Sequence, residues 1–210
     1  MMSELVPGTV IAVEAFDDLP DAALFPQERA LVSLAVAKRR QEFATTRALA
    51  RQALSRLGIP QTAIVHDEHG APLWPAGVVG SMTHCAGYRC AAVARDSDVR
   101  SAGIDAEPHA SLPDGVLRAV SSNDERSVLA ALRLQAPEVA WDRLLFSAKE
   151  SVYKAWYPMT HRWLEFTEAT VTPRTDGTFR ADLLVQSPVA GFDGRWLVRH
   201  GIVLTAVTFR

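Results

Sequence analysis

Two long helical segments, one in each half of the chain, constrain the fold more than any other feature of the sequence. In the first, residues 26–57, alanine, leucine and arginine recur at helical spacing until Gly58 and Pro60 end the pattern. Its length predicts two helices or one bent helix. The second covers residues 141–157 and is expected to end at Pro158. Each helix needs a sheet or another helix to cover its apolar face.

Short strand-like segments surround both helical segments. In the first half we predict them at residues 9–16 and 62–66 and within VVGSMTH, RCAAVAR and VRSAGIDAEP. VVGSMTH and RCAAVAR are read as two strands, or as a strand and a turn into a helix. In the second half a helix at 122–135 comes first, and strand-like segments follow at 166–172, 179–186, 195–199 and 202–209. The repeated order predicts an α+β protein of two similar halves.

Composition and charge argue against several classes of partner. The net charge of −2 and the pI near 6.3 argue against a broad nucleic-acid or anionic-membrane surface. No apolar run approaches the roughly 18 residues of a membrane helix, and the first residues lack a secretion signal. Cys85 and Cys90 are too few for a disulfide framework, and with His84 they fall short of a four-ligand zinc site. We expect a cytoplasmic protein that binds neither nucleic acid nor membrane.

The stretch GIDAEP, residues 103–108, places two carboxylates on one face of a predicted strand. Side chains alternate along a strand, so Asp105 and Glu107 project together while Ile104 and Ala106 face the core. Two such carboxylates repel each other unless a cation lies between them, and Mg²⁺ is a natural candidate. The alternative is an edge strand with a solvated polar face. Taken alone, this stretch favours that alternative.

The stretch FSAKESVYKAW, residues 146–156, holds two of only three lysines in a chain with nineteen arginines. Glu150 and Lys154 stand four residues apart, which favours an ordinary ion pair on a helix surface. Arginine would serve that purpose equally well. Lysine differs because its compact charge suits one phosphate oxygen in a tight site. The use of Lys149 and Lys154 here therefore suggests contact with phosphate.

A third stretch, GSMTHC at residues 80–85, offers the hydroxyls of Ser81 and Thr83 beside His84, a plausible phosphate cradle. A buried histidine with satisfied hydrogen bonds is an equally good interpretation of His84. Three arginines on the first helical segment supply further phosphate contacts or form its solvated face: Arg39, Arg40 and Arg47. Acids for a metal beside cations and hydroxyls for phosphates are what phosphoryl transfer requires. No lysine follows a glycine, which excludes a Walker A loop.

GIDAEP followed some forty residues later by FSAKESVYKAW resembles the paired signature of the 4′-phosphopantetheinyl transferases, G-[IV]-D-x-E and F-[SC]-x-K-E-[SA]-x-x-K. Thr83-His84 also fits the Ser/Thr-His element of that family, and WPAGVVGSMTHCAGYR looks like its actinobacterial members. The resemblance covers roughly residues 36–166 and is to the larger, monomeric class. It implies two similar α/β halves, 1–103 with the coenzyme A phosphate contacts and 104–210 with the metal site and catalytic helix.

The resemblance also implies roles for individual residues. Asp105, Glu107 and Glu150 match the magnesium-binding acids, with manganese as an alternative metal. Glu150 matches the group that takes the proton of the acceptor serine, directly or through water. Lys149 and Lys154 match cations on the coenzyme A phosphates, and Lys154 also belongs to the catalytic set. Contacts to the nucleotide phosphates are implied for Thr83, His84, Arg39 and Arg47.

The implied reaction moves the phosphopantetheine arm of coenzyme A to a serine of an apo acyl or peptidyl carrier protein. Such enzymes activate siderophore, non-ribosomal-peptide and polyketide synthases and release adenosine 3′,5′-bisphosphate. One departure is the loop VHDEHGAPLWP, where many members carry a lysine; His66 or His69 is the candidate replacement. Two alternatives stay open: a catalytically silent scaffold that binds coenzyme A or carriers, and a metal-dependent phosphodiesterase.

Overall fold

The computed structural model describes all residues from Met1 to Arg210 as five α-helices, eight strands and two short 3₁₀ helices. The strands are β1 Ile11–Ala15, β2 Val78–Cys85, β3 Tyr88–Arg95, β4 Ser101–Pro108, β5 Ala169–Pro173, β6 Thr178–Leu183, β7 Gly191–Arg199 and β8 Ile202–Phe209. The helices are α1 Pro26–Leu31, α2 Ala37–Arg56, α3 Val116–Val120, α4 Asn123–Gln135 and α5 Trp141–Thr160. The 3₁₀ helices are Met2–Glu4 and Phe166–Glu168. No helix is both long and apolar enough to cross a bilayer.

The strands form two antiparallel sheets, which confirms the predicted mixture of helix and sheet. β1, β3 and β2 pair in that order, and β4, β8, β7, β6 and β5 form the larger sheet. VVGSMTH and RCAAVAR are two strands of a hairpin, as the first of the two interpretations has it. The boundary predicted at residue 103 falls within β4.

The first helical segment is two helices, the first of its two predicted forms, because residues 32–36 interrupt it. Two other expectations on the elements need correction. Residues 62–66 are not a strand; only an isolated bridge between His66 and Pro72 forms there. α5 continues past Pro158 to Thr160, because a proline in the last turn removes one backbone hydrogen bond without ending the helix.

Each sheet is covered by one long helix. α5 packs across the larger sheet and buries the indole rings of Trp141 and Trp156 completely, against Phe179 and Phe192. α2 covers the smaller sheet through Ala50, Ala53 and Leu54. A third apolar cluster joins the two sheets and includes side chains of β3, β4 and β8: Cys90, Ala92, Ala94, Ile104, Ala106 and Leu204. The two sheets that α2 and α5 cover are therefore joined through a shared apolar cluster.

β2 and β4 join the two sheets without a backbone ladder. The Ile104 N–H donates to Ser81 Oγ at 3.1 Å, and the Ala106 N–H donates to Thr83 Oγ1 at 3.0 Å. Both pairs are 23 residues apart, so the two strands run parallel along this line. The side-chain hydroxyls replace the carbonyl acceptors of an ordinary sheet.

Gly103 allows α5 to lie directly on β4. A Cβ atom at this position would stand 1.9 Å from the Ser151 carbonyl oxygen and 2.7 Å from the Ala155 nitrogen. Both atoms belong to the helix backbone, which cannot move away as a flexible side chain can. The absence of a side chain at Gly103 therefore brings Glu150 and Lys154 of α5 close to Asp105 of β4.

We expect Gly103→Ala to lower the free energy of unfolding by about 3 kcal/mol, because overpacking must separate α5 from β4. Chemical denaturation of the variant against wild type measures the loss. Gly8→Ala is the control, since nothing lies within 4 Å of a Cβ there. Equal stability of the Gly103→Ala and Gly8→Ala proteins would contradict the close contact.

Candidate functional site

A cleft of about 340 Å³ lies where α2, the segment 69–72, β2, β4 and α5 meet. It brings together nine of the side chains considered in the sequence, which come from both halves of the chain. They are Arg39, Arg47, His69, Ser81, Thr83, His84, Asp105, Glu150 and Lys154. Arg40, His66, Glu107 and Lys149 do not line it.

Asp105 is the most firmly held side chain of the cleft and is 4% exposed. Its Oδ1 atom accepts hydrogen bonds from Lys154 Nζ at 2.7 Å and from Thr83 Oγ1 at 3.3 Å. Its Oδ2 atom accepts one from Ser147 Oγ at 2.8 Å. The Ser147 hydroxyl also lies 2.9 Å from that of Thr205 on β8, so strands and helix together orient this carboxylate. Ser147 was not singled out in the sequence, although it stands one turn before Glu150.

Glu150 projects from α5 without any hydrogen bond or ion pair to the protein. The ion pair expected from its spacing to Lys154 is not formed, because the Lys154 ammonium binds Asp105 and the Ile104 carbonyl oxygen instead. Burial raises the pKa of the Glu150 carboxyl, Lys154 opposes this rise, and the charges of Asp105 and Glu107 add to it. The result is a carboxyl that is more basic than usual and free to accept a proton.

Glu107 lies beyond Asp105 at the end of β4 and pairs with Arg143. Its Oε2 atom is 2.9 Å from Arg143 Nη1, a partner that no sequence pattern indicated. Burial raises the pKa of the Glu107 carboxyl, and repulsion from Asp105 adds to this rise. No three acids, histidines or cysteines come together closely enough to share a metal ion. Magnesium binding by Asp105, Glu107 and Glu150 therefore stays a prediction.

Arg47 is a buried cation with unused donors. Its side chain is 7% exposed, and its Nε–H donates to the Ile64 carbonyl at 3.1 Å. Its guanidinium carbon lies 3.7 Å from the centre of the Phe43 ring, and no carboxylate pairs with it. Burial lowers the pKa of Arg47 to about 10, so the group stays charged at neutral pH. Its Nη1 and Nη2 atoms have no hydrogen-bond partner, so an anion in the cleft can use both.

His84 and Arg39 meet at the other side of the cleft. The Arg39 guanidinium lies in hydrogen-bond contact with His84 Nε2. Burial lowers the pKa of His84, and the positive charge of Arg39 lowers it further. A neutral imidazole accepts this hydrogen bond, so His84 supports the arginine and is not itself the cation that the sequence suggested.

The hydroxyls of Ser81 and Thr83 have a structural task. They accept the N–H groups of β4 described above, and Thr83 also donates to Asp105. Both side chains are almost completely buried. Thr83 thus lines the cleft but acts on Asp105, and the phosphate cradle expected from Ser81 and Thr83 is not formed by free hydroxyls.

Lys149 does not reach the cleft. Its ammonium is 2.9 Å from Glu125 Oε1 and donates to the carbonyls of Phe166 at 2.6 Å and Ala169 at 2.9 Å. Burial lowers the pKa of Lys149, and the hydrogen bond and charge of Glu125 oppose this change. These acceptors use the donors of the ammonium. The expected contact between Lys149 and phosphate therefore has no support in the structure; the residue joins α4, α5 and β5.

A second, more enclosed cavity of about 220 Å³ shares two walls with the cleft, Glu150 and Tyr153. Its remaining walls are mostly apolar or aromatic: Lys149, Trp163, Leu164, Glu165, Phe166 and Ala169. The Tyr153 hydroxyl is buried and has no hydrogen-bond partner.

The loop without the family's lysine lies at the edge of the cleft. His69 lines the cleft, whereas His66 does not. His66 instead contacts the Asp67 carbonyl through its Nδ1 atom at 2.7 Å. Of the two histidines considered as replacements, His69 is the one at the cleft.

Comparisons with known proteins match both halves of the chain. Residues 27–94 match the model of the 4′-phosphopantetheinyl transferase N-terminal domain, and residues 101–201 match that of the 4′-phosphopantetheinyl transferase superfamily. The chain is 54% identical to the 4′-phosphopantetheinyl transferase Svp of Streptomyces mobaraensis, over 99% of the chain and 88% of that protein. It is 46% identical to Npt of Nocardia iowensis over the whole of both chains. It is 45% identical to PptT of Mycobacterium tuberculosis over 99% of the chain and 97% of PptT.

We expect Lys149→Met to lower the free energy of unfolding by about 3–5 kcal/mol, because it leaves the Glu125 carboxylate buried and unpaired. The double variant Lys149→Met/Glu125→Gln should recover part of this loss, since no buried charge remains and the amide oxygen can still accept the Val171 N–H. Denaturant titration of wild type, both single variants and the double variant measures the coupling. Full stability of the Lys149→Met protein would contradict the structural role.

Proposed function

The chain belongs to the 4′-phosphopantetheinyl transferase superfamily, and we propose that its cleft carries out the reaction of that family as follows. A carrier-protein serine oxygen attacks the phosphorus that bears the pantetheine of coenzyme A. The bond to the second phosphate breaks, and adenosine 3′,5′-bisphosphate leaves. The observation that carries this proposal is a free, half-buried Glu150 beside the Asp105–Lys154 pair, in a cleft that also contains the unpaired Arg47.

The nucleotide end of coenzyme A lies against α2. Arg47 and Arg39 hold its 3′-phosphate, because Arg47 offers two free nitrogens and Arg39 is exposed at the cleft edge. His84 keeps Arg39 in place through the contact at Nε2. His69 adds a donor at the position of the missing lysine, with a weaker and pH-dependent charge.

The pantetheine arm occupies the second cavity. This arm is extended and largely apolar with two amide groups, and the cavity is lined mainly by apolar and aromatic side chains. The unpartnered Tyr153 hydroxyl offers a hydrogen bond to one of those amides. Glu150 and Tyr153 line both cavities, so the reacting phosphorus lies at the boundary between them.

Asp105 and Glu150 in the cleft, and Glu107 beyond it, carry the type of ligand that a hard divalent cation such as Mg²⁺ takes, and to share one ion they must lie closer together than in this structure. Asp105, Glu107 and Glu150 provide only carboxylate oxygens, and the pKa values of Glu107 and Glu150 are raised by burial and by the negative charge of Asp105. A cation among them relieves this repulsion. When bound, magnesium supplies positive charge for the two phosphates, which offsets the charge that grows on the leaving group.

Two residues of α5 perform the chemical steps. Glu150 takes the proton of the serine hydroxyl, directly or through a water molecule, because its carboxylate lines the cleft and no group of the protein occupies it. Lys154 is held by Asp105 and Ile104 beside the same space and stabilises the leaving phosphate. Asp105 thus orients the cation that acts on the leaving group.

The carriers are proposed to be acyl or peptidyl carrier domains of siderophore, peptide and polyketide synthases, modified in the cytoplasm by a monomeric enzyme. Incubation with coenzyme A, magnesium and a panel of apo carriers, read by intact mass, tests both the reaction and the carrier type. A phosphopantetheine adduct excludes a simple phosphodiesterase. Release of adenosine 3′,5′-bisphosphate excludes a silent scaffold.

Chelation of divalent cations should stop the transfer, and added Mg²⁺ should restore it.

We expect Glu150→Gln to slow carrier loading by about 10²–10⁴-fold, because the amide cannot accept the serine proton. The fold and coenzyme A binding should be retained, as circular dichroism and calorimetry can show. Glu138→Gln, an exposed position outside the cleft, is the matched control and should load carriers at the wild-type rate. Near wild-type loading by Glu150→Gln would refute the assignment of the base.

Tyr153→Phe should weaken coenzyme A binding while leaving the free protein equally stable or more stable. The substitution removes a buried hydroxyl that lacks a partner in the fold, whereas the bound arm loses a hydrogen bond. Thermal unfolding with and without coenzyme A separates the two effects. A larger ligand-induced rise in melting temperature for the variant would refute this placement of the arm.

A further inference from the structure

The loop of residues 66–72 lies across the cleft from the face of α5 that carries Glu150 and Lys154, and beyond the donor of His69 it has no role in the reaction proposed above. We propose that Asp67 is a positioning residue for coenzyme A, because it closes this loop on itself and joins it to α5 through Tyr157. This inference rests on the proposed function, since it concerns the binding of coenzyme A in the same cleft.

One carboxylate organises the loop. Asp67 Oδ1 accepts the N–H groups of His69 and Ala71, both at 2.9 Å. Its backbone completes the turn, with Asp67 N–H donating to the Ala71 carbonyl at 3.0 Å and Gly70 N–H donating to the Asp67 carbonyl at 3.1 Å. A segment with no regular secondary structure thus has one defined conformation.

The other oxygen of the same carboxylate joins the loop to α5. The Tyr157 hydroxyl donates to Asp67 Oδ2 at 2.8 Å, across 90 residues of sequence. The Tyr157 ring also contacts the His69 ring edge-on, with their centres 5.6 Å apart. Tyr157 is 5% exposed and follows Lys154 by three residues on α5. This hydroxyl makes the only hydrogen bond between the loop and α5.

The loop supplies four walls of the cleft: His69, Gly70, Ala71 and Pro72. Its distance from α5 therefore sets how wide the cleft is between the loop and Lys154. A loop already fixed at that distance loses little conformational freedom when coenzyme A binds. The hydrogen bond between the loop and α5 matters more in this chain because the loop carries a histidine at the cleft. A lysine at that position would be permanently charged and would attract an anion at longer range.

Asp67 carries a negative charge close to the proposed site of an anionic ligand, so its position there requires an explanation. Three donors satisfy its two oxygens, and none of them comes from a lysine or arginine. The carboxylate thus acts through the groups that it holds. The carboxylate holds the loop in position, and coenzyme A contacts the loop rather than the carboxylate.

Three variants separate the parts of this arrangement. Tyr157→Phe keeps the ring contact and removes only the hydrogen bond between loop and helix. Asp67→Ala also frees the two loop N–H groups, and Asp67→Asn keeps an acceptor for them. Thr160→Val is the matched control, because it removes a hydroxyl at the end of the same helix that donates to the Trp156 carbonyl and accepts the Arg162 N–H, away from the loop.

The measurements are steady-state kinetics and calorimetric binding of coenzyme A. We expect Tyr157→Phe to raise the KM for coenzyme A and its Kd by about tenfold, as for a lost hydrogen bond to a charged group. The kcat and the KM for the carrier should stay within about twofold of wild type. Asp67→Ala should have a larger effect, Asp67→Asn a smaller one than Asp67→Ala, and Thr160→Val none.

Amide hydrogen exchange without any ligand tests the connection independently of the reaction. The N–H groups of His69 and Ala71 should exchange faster in Tyr157→Phe and fastest in Asp67→Ala. Unchanged coenzyme A affinity in both variants would overturn the positioning role, as would a fall in kcat at constant KM. Failure of the wild-type protein to bind coenzyme A would overturn the proposed function as well, and exchange would still report whether the loop is held.

Discussion

The two hydroxyl bridges between β2 and β4 are the interaction on which the cleft depends. Ser81 and Thr83 accept the N–H groups of Ile104 and Ala106, and so fix the smaller sheet against the larger one. The same Thr83 hydroxyl donates to Asp105, so the joint between the sheets also orients the central carboxylate. Since α2 packs on one sheet and α5 on the other, Arg39 and Arg47 of α2 face Glu150 and Lys154 of α5 across this joint.

Much of the cleft could be predicted because its side chains follow local periodicity. Asp105 and Glu107 alternate with buried residues along β4, and Glu150 and Lys154 lie on one face of α5, as their spacing indicates. Lys149 shows where the reasoning by residue type failed. Residues five apart on a helix differ by about 140° around its axis, so Lys149 and Lys154 cannot both face one ligand. The preference for lysine at 149 has a different cause, a buried partner on another helix.

The remaining parts of the site depend on contacts between distant segments, which no local pattern encodes. Arg143 meets Glu107 and Tyr157 meets Asp67 only once the sheets and helices are assembled. The predicted strand at 62–66 failed for a similar reason: no neighbouring strand is placed to pair with it, and only one bridge forms. The predicted pair of Glu150 and Lys154 was lost because Asp105, a residue from β4, competes successfully for the ammonium.

If Arg47 binds an anionic ligand as proposed, the supply of that ligand affects the stability of the fold. Folding removes this guanidinium from water and sets it over the Phe43 ring without a carboxylate, so the ligand-free protein bears the desolvation cost alone. An anion that binds there finds a cation already stripped of water and gains a stronger interaction. The interaction with the anion then offsets the desolvation cost that the ligand-free protein bears. The free energy of unfolding therefore rises with the concentration of ligand. In a cell depleted of coenzyme A, this enzyme would then be mostly free of ligand, which is the state with the lowest free energy of unfolding.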